Sequence, residues 1–391
     1  MGNPLLTVKN LSASFFISVG EIFAVRNVSF YLDEGETLAI VGESGCGKSV
    51  TVKAIMRINP EPPFRVKEGS IVYNGVDIVG FSNRQMQAYR GKEFAMVFQD
   101  PMTCLNPTMK VGKQITESII KHQKLSFSDA KKTALECMRM CGIADPEKSF
   151  NRFPHTYSGG MRQRIMIAMA LCCNPKILIA DEPTTALDVT MQAQILELMN
   201  ELKKKTGAAI ILITHNLGVV ARMADRIAVM YAGEIIETGL SRDVFYDSKH
   251  PYTWGLLGGM PDANQHTPPQ SSGVCCSRKV LDSGFIPDDR PKGAGYETLA
   301  TNQNKGRELK AIPGTPPDLF MPPAGCAFAA RCTYCMPVCR KLHPTEYSFD
   351  NNHKSSCWLY DDRAKKPEPQ KIIRRRLEEQ AAEKGVEHYG A

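Results

Sequence analysis

The segment Gly42-Glu43-Ser44-Gly45-Cys46-Gly47-Lys48-Ser49 constrains this chain more than any other. It fits G-x-x-x-x-G-K-S and lies between an apolar strand, Thr37 to Val41, and a helical segment. Glycines at these spacings let successive backbone N–H groups turn toward a phosphate, and the helix that follows adds the positive partial charge of its N-terminus. Lys48 then reaches the β- and γ-phosphates, and the Ser49 hydroxyl can ligate Mg²⁺. A second apolar strand, Ile177-Leu178-Ile179-Ala180, ends in Asp181 and Glu182. Asp181 can hold Mg²⁺ through water, and Glu182 can polarise an attacking water. Either carboxylate alone reads as a solvated strand end; together with the loop they describe a nucleoside triphosphatase.

The surrounding pattern suits such a site. Residues 1–260 alternate strands and helices: the strand Leu38 to Val41, a helix after Gly47, the strand Ile177 to Ala180, a helix from Val189 to Lys204, the strand Ala209 to Ile213. This alternation predicts an α/β sheet covered by helices. Residues 111–172 are mainly helical in spacing, over Val111 to His122 and Asp129 to Met140, and predict an inserted helical subdomain. Composition shifts to Pro, Gly, Ser, Asn and Gln over 261–323, an irregular connector in which the pair Cys275-Cys276 reads as incidental. A cysteine-rich extension, 324–362, precedes a tail, 363–391, of eight basic and five acidic residues that reads as a solvated end.

Several function classes drop out. The longest apolar runs, Ala208 to Ile213 and Ile165 to Leu171, fall far short of a bilayer crossing, so the chain is not expected to span a membrane. Met1 to Asn10 lacks the basic and apolar segments of a secretory signal, and Leu6 stands where N-myristoylation needs Ser or Thr. Thirteen cysteines in such a chain point to a reducing compartment, the cytosol by default, where clustered thiols hold metal more often than they form disulfides. The formal charge of +7 is modest for 391 residues and selects no partner.

Five elements in order make the chain resemble the ATP-binding cassette (ABC) ATPases across nearly all of residues 1–260. After the phosphate loop come Gln99 in Val97-Phe98-Gln99-Asp100-Pro101, then Ser158-Gly159-Gly160-Met161-Arg162-Gln163, the Asp181-Glu182 pair, Ala186-Leu187-Asp188, and His215 in Ile213-Thr214-His215. The resemblance implies that nucleotide is held by Gly42 through Val50, by Gln99 and by Asp188. It implies Mg²⁺ on Ser49, Gln99 and Asp181, and catalysis by Glu182, His215 and Lys48. Gln99 would link Mg²⁺ to the transporter-facing helical subdomain, Asp188 would contact the opposite subunit, and His215 would sense or position the γ-phosphate. Phe15, chosen over Phe16 and Phe23, is expected to stack on adenine. Ser158, Gly159 and Gly160 lie just before a helical run, Arg162 to Cys172, and so offer a hydroxyl and a helix N-terminus to an anion. In this family that anion belongs to the ATP of a second cassette, so a partner cassette, usually a paralogue, is implied. Tyr157 stands for the usual Leu and Met161 for the usual Gln, departures that leave the anion-binding atoms in place.

Cys326, Cys332, Cys335, Cys339 and Cys357 fall within 32 residues. Their spacing suits a structural Zn²⁺ or an iron-sulfur cluster and does not choose between them. The region resembles the C-terminal extension of the oligopeptide and dipeptide permease ATPases. That resemblance implies a 4Fe-4S cluster on Cys326, Cys332, Cys339 and Cys357, with Cys335 a spare thiol. The stretches Gln99 to Pro107, His250-Pro251-Tyr252-Thr253 and Ile312 to Pro317 resemble the same subfamily. The implied function is ATP hydrolysis that energises peptide import from the cytoplasmic face of the membrane, beneath two permease subunits fed by an external binding protein. Nickel or another small solute is the alternative cargo. A soluble ABC ATPase acting on nucleic acid would call for two fused cassettes or a long coiled coil; neither is seen, and no nucleic-acid partner is expected. The cluster is expected to staple an extension with little apolar core, with redox or iron sensing held as an addition to that role.

Overall fold

The apolar runs Thr37–Val41, Phe94–Val97, Ile177–Asp181 and Ala209–Thr214 carry no polar alternation, and every residue in them is buried. Burial on two faces is the condition of a parallel sheet covered by helices. The computed structural model, which describes residues 3–185, 187–259 and 312–364, shows such a sheet. Strands are numbered β1 (Leu6–Ile17), β2 (Gly20–Leu32), β3 (Thr37–Val41), β4 (Phe64–Tyr73), β5 (Val76–Asp77), β6 (Phe94–Val97), β7 (Ile177–Asp181), β8 (Ala209–Thr214), β9 (Arg226–Tyr231), β10 (Glu234–Leu240), β11 (Glu346–Ser348) and β12 (Lys354–Ser356). The eight-stranded sheet runs β11-β12-β10-β9-β3-β8-β7-β6, parallel from β9 to β6 and antiparallel from β9 outward to β11. A second, antiparallel sheet of order β2-β1-β4-β5 packs its apolar face, including Leu6, Val8, Leu11 and Val28, into the core shared with β3 and the helix Lys48–Ile55.

The helical block contains Val111–Gln123, Phe127–Met140, Pro146–Ser149 and Gly159–Leu171, built around buried Ile115, Ile119, Ala134, Met138 and Ile165. Two helices begin earlier than their apolar periodicity indicates, and side-chain caps explain it. Ser126 accepts from Asp129 N, starting a helix at Phe127 rather than Asp129, and Ser158 accepts from Met161 N, starting one at Gly159 rather than Arg162. Tyr157 buries its ring and donates its hydroxyl to Ser149 O at 2.8 Å, a tie within this block that Leu could not make. Among the described residues no helix is long and apolar enough to cross a membrane. Most of the connector, with Cys275 and Cys276, lies outside the described residues, as do Ala186 and the tail from 365 onward.

Residues from the cysteine-rich segment join the main sheet. β12 pairs with β10 through Glu237↔Ser355 and Thr238↔Lys354, and β11 extends it to the edge. Under this junction the fully buried carboxylate of Glu237 accepts from the backbone N–H groups of Lys249 and His250 and from the Thr253 hydroxyl, and meets His353 Nε2 at 2.8 Å. A carboxylate with no exposure persists only when its lone pairs are taken up in this way. Replacing Glu237 with Ala strands several buried donors at once, so a loss of about 3 kcal/mol or more is expected. Urea titration of Glu237→Ala against wild type measures it, and a loss under 1 kcal/mol would contradict this assignment of the network as the anchor.

Candidate functional site

Strand register assembles the site. Val41 lies opposite Thr214, and Asp181 opposite Ile213, so β3, β7 and β8 end on one line. Gly42, Glu182 and His215 therefore emerge together at the carboxyl ends of parallel strands, where open α/β sheets bind ligands. Val97 pairs with Ala180 on the next strand, which brings Gln99 to the same edge.

The loop Gly42–Gly47 leads into the helix Lys48–Ile55, in which Val50 is half-buried. Gly47 has φ +102°, and a Cβ there would lie 2.3 Å from Ala24 O, so no other residue fits. Lys48 is buried, with Nζ donating to the carbonyls of Gly42 (2.8 Å) and Glu43 (2.9 Å); its ammonium is thus held at the centre of the loop. Ser44 and Gly45 are exposed at the tip. Cys46 is buried beneath the loop, and burial pushes its thiol up.

Two carboxylates, Asp181 and Glu182, complete the centre. Ser49 Oγ donates to Asp181 Oδ1 at 2.7 Å, and burial holds the Asp181 carboxyl above its usual range, opposed by the Ser49 hydrogen bond. A hydroxyl and a buried carboxylate in contact form an oxygen donor set that suits a divalent cation of the Mg²⁺ type. Glu182 takes a left-handed backbone (φ +46°), and its N–H donates to Ile213 O. Its side chain collects Gln99 Nε2 at 3.0 Å, Thr185 Oγ1 at 3.0 Å and His215 Nδ1 at 3.2 Å. Gln99, Glu182 and His215, far apart in the chain, thus form one polar cluster beside the phosphate loop. A strained backbone conformation at such a residue is characteristic of functional positions.

Other expected residues stand elsewhere. Ser158 and Gly159 are exposed at the start of the helix Gly159–Leu171, and among the described residues neither they nor Gly160 hydrogen-bond to the phosphate loop. Asp188 is exposed and caps the helix Val189–Thr206, accepting from Met191 N at 2.9 Å. The Met191 side chain abuts Gly160, so the Ser158 turn and the Asp188 cap are neighbours. Met161 packs against the helical core. Phe15 is half-buried with its ring 5.2 Å from Phe64, whereas Phe16 is exposed.

Sequence reasoning did not find Thr185, which orients Glu182, nor Gln163, whose amide donates to Pro183 O at 2.6 Å and so ties the Gly159–Leu171 helix to the residue after Glu182. Polar residues in T-T and R-Q dipeptides give no local signal of their contacts.

Among the described residues no group of three or more His, Cys, Asp or Glu has the arrangement that would hold a metal ion, so the expected cysteine-rich metal cluster is not supported by the placement of side chains. Cys339 and Cys357 are nonetheless buried, and Cys326, Cys332 and Cys335 are half-buried. Burial first, then neighbouring cysteines, push Cys326 up to about 12 and Cys332 up to about 11, and raise Cys357, whose neighbours include Cys326, Cys332 and Cys339. Burial likewise raises Cys339. Cys326 N donates to Cys339 O at 2.7 Å, an approach made possible by Gly325, where a Cβ would lie 2.2 Å from that carbonyl.

Comparison with known proteins agrees with this geometry. A family model described as ABC transporter matches residues 25–185, and one described as oligopeptide/dipeptide transporter, C-terminal region, matches 236–274 and 296–339. The oligopeptide transport ATP-binding protein OppD of Bacillus subtilis strain 168 is 52% identical over 95% of this chain and 94% of its own. The dipeptide transport ATP-binding protein DppD of the same strain is 48% identical over 92% and 96%. Among solved structures, a dimeric ATP-binding cassette in a post-hydrolysis state bound to ADP and Pi superposes with a TM-score of 0.55 at 28% identity, over 60% of this chain and 98% of that one.

Gly47→Ala must displace the loop from Ala24, and nucleotide affinity is expected to fall about tenfold or more, given that relieving a forbidden backbone position costs on the order of 1–3 kcal/mol. Titration with a fluorescent ATP analogue measures this, and unchanged affinity would contradict the close-approach argument.

Proposed function

This chain belongs to the ATP-binding subunits of ABC transporters, in their oligopeptide and dipeptide branch, and from that premise we propose that it hydrolyses ATP to energise import of peptides. The observation that carries the reading is the convergence of Lys48, Ser49, Asp181, Glu182, Gln99 and His215 at the ends of adjoining strands.

In this reading Gly42 through Val50 cradle the triphosphate, and Lys48 exchanges its loop carbonyls for phosphate oxygens. Ser49 and Asp181, with Gln99, would hold Mg²⁺, which supplies charge neutralisation at the β- and γ-phosphates. Glu182 orients and polarises the attacking water, and His215, already against Glu182, positions the γ-phosphate. Catalysis is positioning and charge stabilisation rather than covalent chemistry. Phe15 packs on adenine. Ser158, Gly159 and Gly160 present a capped helix N-terminus to the ATP of a second cassette, and Asp188 faces that partner. The partner cassette, a paralogue in our reading, and two permease subunits place the chain peripherally on the cytoplasmic face of the membrane, with cargo delivered by an external binding protein. Residues 111–172 act as the subdomain that pulls on the permease, and 324–362 as the cysteine-rich extension.

For that extension we propose a 4Fe-4S cluster on Cys326, Cys332, Cys339 and Cys357, Zn²⁺ being the alternative. Support comes from the five cysteines within 32 residues and from the backbone contact of Cys326 N with Cys339 O, which joins two of the four candidate ligands. Iron and acid-labile sulfide are expected in anaerobically purified protein and should be lost in Cys326→Ser and Cys339→Ser. Zinc in place of iron would select the alternative, and absence of either metal would refute the cluster.

Glu182→Gln is expected to keep ATP binding while lowering ATPase activity of the assembled transporter by about a hundredfold or more. Undiminished turnover would sink the catalytic assignment. In cells lacking this chain, wild type but not Lys48→Ala should restore uptake of labelled dipeptide or longer peptide; restoration of nickel uptake alone would overturn the peptide assignment.

A further inference from the structure

Glu43, the second residue of the phosphate loop, is gripped from the far end of the chain. Arg331 forks onto its carboxylate, Nη1 to Oε2 at 2.6 Å and Nη2 to Oε1 at 2.9 Å. The guanidinium is itself fixed: Nε donates to Pro313 O at 2.9 Å, Nη2 to Ile312 O at 3.3 Å and Nη1 to Tyr231 Oη at 3.2 Å. The Glu43 backbone N–H donates to the Tyr252 hydroxyl at 2.8 Å. Tyr231, Tyr252 and Phe328 pack on one another with ring centroids 4.6–5.4 Å apart, so the platform is continuous from β9 to the cysteine-rich segment. Two stretches that the ATPase chemistry leaves unexplained thus converge on the Glu43–Arg331 pair, His250 to Thr253 through the Tyr252 hydroxyl on Glu43 and Ile312 to Pro317 through the carbonyls of Ile312 and Pro313 on Arg331.

The electrostatic consequence is specific. A carboxylate in the loop that must receive a triphosphate repels it unless neutralised. A bidentate Arg with a side chain only 5% exposed does so in fixed geometry, which Lys cannot reproduce. We propose that Arg331 is a positioning residue for ATP binding: it neutralises and pins Glu43, so that affinity of the phosphate loop for nucleotide depends on the seating of the cysteine-bearing segment next to it. Arg331 precedes Cys332 directly, so displacement of that segment is transmitted to the loop through one side chain. The inference rests on the reading of Gly42–Ser49 as an ATP phosphate loop.

The test is the KM for ATP and kcat of the complete transporter, with an ATP-analogue Kd for the full chain. Arg331→Gln is expected to raise KM and Kd about tenfold with kcat within about twofold, consistent with loss of one coupled charge pair. Adding Glu43→Gln to Arg331→Gln should bring KM back to within about threefold of wild type, because the uncompensated carboxylate is gone. Arg331→Lys, which retains charge without the fork, should fall between. An unchanged KM in Arg331→Gln, or a defect that persists undiminished in the double variant, overturns the proposal, since a merely structural arginine would be missed regardless of residue 43. Should Arg331→Gln fail to accumulate, Arg331→Lys with and without Glu43→Gln gives the same comparison. Lys48→Ala serves as the control: full ATP affinity there would sink the phosphate-loop reading itself, whereas loss of binding in Lys48→Ala with normal KM in Arg331→Gln would sink only this inference.

Discussion

Strand β3 is bonded on each side along its length, to β8 and to β9, and all five of its residues are buried. A buried backbone cannot shift along its neighbours without breaking a ladder of hydrogen bonds that nothing in the core can replace. The end of β3 is therefore a fixed point, and the glycine loop that leaves it inherits this rigidity. The same ladder sets the ends of β7 and β8, so the carboxylates and His215 emerge at the same sheet edge as the loop without any long or adaptable connection. The chemistry needs groups held to a fraction of an ångström, and here the holding is done by main-chain pairing.

The periphery is organised by buried charge instead. Glu237 beneath β12 and Arg331 against Glu43 each fill their hydrogen-bonding capacity with partners from segments widely separated in the chain. A buried charge with its partners removed is costly, so each of these nodes specifies a single arrangement of the elements that meet there. The two nodes lie on either side of the His250–Thr253 turn, which donates to Glu237 through His250 N and the Thr253 hydroxyl and accepts from the Glu43 N–H through the Tyr252 hydroxyl. One short segment thus serves the sheet edge and the phosphate loop together.

Much of this was legible beforehand where a signal is local. The G-x-x-x-x-G-K-S loop, the strand ending in Asp181-Glu182 and the helical spacing of 111–172 each occupy contiguous residues, and the strand and helices appear with bounds shifted by one to three residues. The helix starts at Phe127 and Gly159 were missed because Ser126 and Ser158 act as caps, which apolar periodicity does not register. The Thr185 contact to Glu182 and the Gln163 contact to Pro183 left no pattern, since a polar side chain can find its partner only once the backbone has been placed. The cysteine spacing suggested a metal, whereas among the described residues the fold presents no metal-holding group.

By itself the sequence determined the glycine-rich loop Gly42–Ser49, the parallel α/β scaffold and the pairing of Asp181 with Glu182, because each follows from glycine freedom, apolar runs and adjacency along the backbone. Tertiary structure alone decided which side chain turns toward Glu182 and that the β11–β12 hairpin completes the main sheet. It also decided that Arg331 closes on Glu43 across 288 positions of chain. Those contacts join segments whose separation along the backbone says nothing about their distance in space. They are set by strand register and by the requirement that every buried charge find a partner.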